Sequence, residues 1–115
     1  MADQKYDLED RTYRFARDCR LKFKSLPKTV INVEDGKQLV RASGSVGANY
    51  IEANESLSKK DFLYRIKVCR KEAKESKYWI RLLSDLNPKK NDFDILEQEA
   101  EELKLIFSKI INNSS

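Results

Sequence analysis

The sequence predicts an all-α protein, four long helices packed nearly antiparallel as a bundle, and three observations predict it. Apolar residues recur at spacings of three and four in four separate stretches, the period of one helix face. Those stripes keep a seven-residue repeat, which suits long helices crossing at small angles. The 115 residues include only three Gly and two Pro, too few for the turns of a β sandwich. One domain over residues 1–115 is expected, because a chain of this length buries one core and not two.

The first helix is expected over about residues 7–26. Leu8, Thr12, Phe15, Cys19, Phe23 and Leu26 form its stripe, Pro27 ends it, and Asp7 is placed to cap its free amides. The second is expected over about 34–55. Its segment Arg41-Ala42-Ser43-Gly44-Ser45-Val46-Gly47-Ala48-Asn49-Tyr50-Ile51-Glu52-Ala53 is rich in tiny residues, yet Leu39, Ser43, Val46, Tyr50 and Ala53 hold the helical spacing. Such a helix has a nearly bare surface that lets other backbones approach closely. Its start is open, because Gly36 fits either the preceding loop or the first turn.

The third helix is expected over about 59–87, with Ser58 and Asp61 as a capping box and Asn87-Pro88 as the stop. Phe62, Ile66, Cys69, Ala73, Ser76, Ile80 and Leu83 form its stripe. The fourth is expected over about 92–111, capped by Asp92 or Asn91, with the stripe Phe93, Leu96, Ala100, Leu103, Phe107 and Ile110.

With 40% hydrophobic and 37% charged residues, the chain reads as a soluble protein with a thin core. No apolar run approaches the roughly 18 residues that cross a bilayer, and Met1-Ala2-Asp3-Gln4-Lys5 leads into charged sequence rather than a signal peptide. The cytoplasm is the expected compartment, with no membrane partner. Cys19 and Cys69 each fall on an apolar stripe and are expected as reduced core thiols.

Charge is uneven along the chain. Residues 57–90 hold eleven Lys or Arg against four acids, whereas residues 91–115 hold two against six. The third helix is therefore a basic rod and the fourth an acidic one. Two readings follow: mutual neutralisation between neighbours, or a surplus suited to phosphate backbones. The candidate nucleic-acid contacts are Arg65, Lys67, Arg70, Lys71, Lys74 and Lys77 on the third helix, with Arg17 and Arg20 on the first.

Tyr64, Tyr78, Trp79 and Leu82 lie outside the apolar stripe of the third helix. They either widen the core contact or form a subunit interface, where Trp and Tyr bury much area with little rotamer loss. Arg41, Ser45, Asn49 and Glu52, spaced by four, four and three, are expected as a polar seam facing Glu72, Glu75 or Ser76 and setting helix register at some cost in stability.

Catalytic patterns are nearly absent. There is no histidine, which removes the commonest general base and metal ligand. Ser25-Leu26-Pro27-Lys28 and Ser56-Leu57-Ser58-Lys59 match a serine–lysine spacing that arises by chance and lack its companion motifs. Gly44-Ser45-Val46-Gly47 has no preceding strand and no Gly-Lys-Ser/Thr end. Glutamates near the stripes lack the Glu-x-x-His pairs of di-metal bundles. No enzyme, cofactor, metal or small-molecule substrate is expected.

Three blocks in order carry a resemblance. They are Arg41 to Ala53, then Ser58-Lys59-Lys60-Asp61-Phe62, then Lys71-Glu72-Ala73-Lys74-Glu75-Ser76-Lys77-Tyr78-Trp79-Ile80-Arg81-Leu82-Leu83. Together they resemble the bacterial four-helix-bundle family encoded in intervening sequences of 23S ribosomal RNA genes, over roughly residues 8–110. The family pattern often has Ile at the place of Tyr50 and Gly at the place of Ala53. The resemblance implies an up-down-up-down bundle that assembles with itself as a homopentamer, a ring with a central channel. It is also similar to accessory proteins of diversity-generating retroelements, which bind a reverse transcriptase and nucleic acid. The expected partners are thus other copies of the chain and RNA or a nucleic-acid-bound protein. The rival expectation is a protein–protein scaffold with no direct nucleic-acid role.

Overall fold

The computed structural model describes residues 4–88 and 92–114, with side chains from Leu8 onward. Its helices are α1 (Gln4–Ser25), α2 (Val30–Asn54), α3 (Lys59–Leu86) and α4 (Phe93–Ser114), and the described residues hold no strand. Consecutive helices are neighbours in space, and α1 with α4 closes the bundle by a much slighter contact. The paired residues give the directions. Phe23 meets Gly36 and Thr12 meets Gly47, so α1 and α2 run oppositely. Arg41 meets Glu72 and Arg65 meets Asn49, so α2 and α3 do too. Lys22 lies over Phe93 and Arg11 bonds Glu102, which sets α4 against α1. The bundle is therefore up-down-up-down, about 44 Å long, close to the roughly 42 Å that the 28 residues of α3 span.

Local chemistry sets most helix ends, and three differ from expectation. α2 starts at Val30, earlier than residue 34, because Thr29 takes an extended conformation and its side chain accepts from the Asn32 amide at 3.1 Å. Gly36 consequently lies inside the helix. Phe23 explains why it is glycine, since a Cβ there would stand 2.2 Å from that ring. α1 starts at Gln4, so Asp7 lies within the helix rather than capping it. α4 runs on to Ser114, and Ile111 rather than Ile110 takes the buried place at its end. At α3, Ser58 Oγ accepts from the Asp61 amide at 3.1 Å, the expected cap. Before α4, Asp92 sits in the left-handed region with φ 77°, while Asn91 lies outside the described residues.

Phe15, Leu39, Val46, Ile66, Ile80, Leu83, Leu103 and Phe107 form the centre of the core, each at most 2% exposed. The tiny residues of α2 are helical throughout, and Ala42 and Ser43 are fully buried. That bare surface also lets α1 come close. Gly44 lies under Arg20 and Gly47 against Thr12, each with about 3 Å to an added Cβ. Cys19 and Cys69 are buried free thiols. Burial pushes both up to about 12, so neither is a thiolate at neutral pH.

One buried polar pair has no precursor in the sequence reading. Asn32 Nδ2 donates to Asn87 Oδ1 and Asn87 Nδ2 donates to Asn32 Oδ1, both at 2.9 Å. The remaining amide protons reach Pro27 O at 3.0 Å and Leu83 O at 2.8 Å. The start of α2 is thereby clasped to the C-cap of α3 with its amide donors engaged, the condition under which a buried amide is not a cost.

Candidate functional site

On α3 the buried stripe leaves an opposite face to solvent. Lys60, Tyr64, Lys67, Lys71, Lys74, Tyr78 and Arg81 follow each other at alternating spacings of four and three, and all seven are exposed. They form one row about 32 Å long. Among the described residues, none of its five cations lies within ion-pair distance of a carboxylate. The mutual neutralisation with α4 considered from sequence therefore does not bring a carboxylate within ion-pair distance of Lys67, Lys71 or Lys74. Lys77 sits off the row and does pair with α4, its Nζ 3.1 Å from Glu101 Oε1. Lys104 contacts the same oxygen at 3.1 Å. Hydrogen bonds from Lys104 and Lys77 hold the Glu101 carboxyl below its usual range. Arg70 is half-buried beside the row.

Tyr64 and Tyr78 were candidate interface residues and the lysines candidate phosphate contacts, yet they share this row. Trp79 and Leu82 do not. Both are half-buried; Trp79 packs on the core, donates Nε1 to Glu75 Oε2 at 3.1 Å and meets Tyr78 edge-on at 5.0 Å.

Between α2 and α3 lies a polar seam. Arg41 Nη1 donates to Glu72 Oε2 at 3.0 Å and Nη2 bonds Glu75. Asn49 Nδ2 donates to Ser45 O and Oγ at 2.9 Å, and Asn49 Oδ1 accepts from Arg65 Nη1 at 2.9 Å. Ser76 Oγ donates to Glu72 O at 2.8 Å. Burial pushes the Glu75 carboxyl up, but hydrogen bonds from Trp79 and Arg41 outweigh it and hold it below its ordinary value. Glu52 is exposed, and its carboxylate stands outside this network. Arg65 thus spends one nitrogen on the seam while its guanidinium lies 5.7 Å from the Tyr64 ring.

On α1, Arg20 donates Nη1 to Ala16 O at 3.2 Å and Arg17 donates Nε to Asp18 Oδ1 at 3.1 Å. Arg11 makes a contact that sequence reasoning missed. Its Nε and Nη2 meet Glu99 at 2.7 and 2.8 Å, and Nη2 reaches Glu102 at 2.8 Å. The hydrogen bonds with Glu99 dominate in raising its affinity for its proton.

Ser25 Oγ donates to Lys22 O, and Lys28 Nζ donates to carbonyls at the end of α1. Ser56 Oγ donates to Glu52 O. Each serine is engaged with backbone. Among the described residues no three metal-ligating side chains converge, and no helix is long and apolar enough to cross a membrane.

The family described as 23S rRNA-intervening sequence protein matches residues 4–109. A crystal structure of a protein of unknown function from the S23 ribosomal protein family of Bacteroides thetaiotaomicron is similar, with 25% identity and a TM-score of 0.85 over 96% of this chain and 99% of that one. No curated protein matches.

Proposed function

The chain belongs to the 23S rRNA-intervening sequence protein family, and from that premise we propose a non-enzymatic cytoplasmic scaffold that assembles as a ring-shaped homopentamer and holds RNA or DNA without sequence preference. The supporting observation is the α3 row: five exposed cations, none within ion-pair distance of a carboxylate among the described residues, interleaved with Tyr64 and Tyr78. Cations on long flexible stems suit phosphates, and exposed rings suit unpaired bases. A single row is weak; several copies in a ring add their contacts.

The expected result is a solution mass about five times the 13.5 kDa monomer. Affinity for structured RNA should be measurable at ~50 mM salt and fall steeply above it. Replacing Lys67, Lys71 and Lys74 together with Glu should reduce that affinity and leave the mass unchanged. A monomer by light scattering overturns the ring, and unchanged RNA binding by the triple variant overturns the row. The second reading is a protein–protein scaffold, favoured by the two tyrosines on the same face. In that case the wild type binds no RNA, and the triple variant loses mass instead.

A further inference from the structure

The geometry points to a nucleotide pocket between α1 and α2, taking one unpaired base and its phosphate from a single strand. The inference rests on the nucleic-acid reading above and gives it a second contact, separate from the α3 row.

Three clefts of similar size run along α1, and their charges differ. The two on the α4 side contain acids: Asp18, Glu99 and Glu102 in one, Asp18 and Asp92 in the other. The cleft on the α2 side, about 400 Å³, has no carboxylate in its wall but has Arg17, Arg20 and Lys24. Asp18, the one acid bonded to Arg17, lines the α4-side clefts and not this one. An anion thus meets Arg20 and Lys24 one turn apart, about 6 Å along the helix, with Arg17 beside them already paired with Asp18 at 3.1 Å.

The rest of the wall is Tyr13, Ala16, Leu21 and Gly44. Tyr13 is 61% exposed and Leu21 57%. Arg20 lies across Gly44, where a Cβ would be 2.9 Å from its Nη2, and it is anchored there by its bond to Ala16 O. The glycine makes room for the guanidinium, which covers that part of the floor. An acidic peptide would satisfy the cations and leave the ring and floor unmet. A nucleotide satisfies both, with its base stacked on Tyr13 and its phosphate among the cations. The volume sits at the low end of small-molecule sites, roughly 300–1,000 Å³, which admits one nucleotide.

The test is amide NMR on the full chain with a ten-residue oligouridylate, uridine monophosphate and inorganic phosphate as probes. Both nucleotide probes should shift Tyr13, Ala16 and Gly44, and should do so equally in the variant carrying Glu at 67, 71 and 74. Tyr13→Ala should weaken oligouridylate binding about tenfold, while Tyr13→Phe, which keeps the ring, should not. Inorganic phosphate shifting the same amides with the same affinity as the nucleotide overturns the pocket, as does unchanged binding by Tyr13→Ala. If structured RNA still binds through the α3 row while these amides stay silent, only the pocket fails. If they shift while the triple variant keeps its RNA affinity, only the row fails.

Discussion

Two sides of this bundle are tied by opposite means. At the α2–α3 side the Asn32–Asn87 clasp is neutral, buried and complete in its donors. At the α1–α4 side Arg11 grips Glu99 and Glu102, charged groups that are a quarter to a half exposed. The difference teaches where energy resides. Removing half of a buried clasp strands its partner without water, whereas removing half of an exposed clamp returns both charges to solvent. The side with the bare helix surface packs extensively, and the side with the clamp leaves clefts along its length.

The largest expected effect is therefore Asn87→Ala, which should cost about 2–3 kcal/mol by leaving Asn32 unsatisfied, with no dependence on salt in chemical denaturation. A loss equal to that of an exposed substitution would erase the contrast. Next is acid. The folded Glu75 carboxyl titrates below its ordinary value of 4.5, so its contribution is present above that pH and is lost as pH falls through the folded value. Arg41→Met should flatten that part of the stability profile by less than about 1 kcal/mol. A profile unchanged by Arg41→Met would show that the seam adds nothing. The smallest is Arg11→Ala, expected to cost about 0.5 kcal/mol at low salt and nothing measurable near 1 M, where the screening length is about 3 Å. A large, salt-independent loss would place the α1–α4 side with the buried clasp.

Much of this was legible in the sequence because it repeats. Period alone located four helices, their buried faces and the small-residue run of α2. Single events were not legible. Thr29 caps α2 ahead of Val30 and Ile31, which are exposed, so no apolar stripe announced the start. Asn32 and Asn87 are 55 residues apart, and neither type advertises a partner in the core. Arg11 resembled any other cation of α1. The α3 row was readable in principle, since 60, 64, 67, 71, 74, 78 and 81 alternate by four and three. Sorting its tyrosines and lysines by chemistry rather than by face split one surface into two roles.

Two buried thiols turn the fold into its own clock. Cys19 on α1 and Cys69 on α3 are sealed and protonated, so an alkylating reagent modifies each only during the moments when its helix lifts away. Since α1 is held against α4 by the exposed clamp and α3 lies on the clasped side, the first thiol should be surrendered sooner, and the interval between the two records how far the bundle breathes before it comes apart.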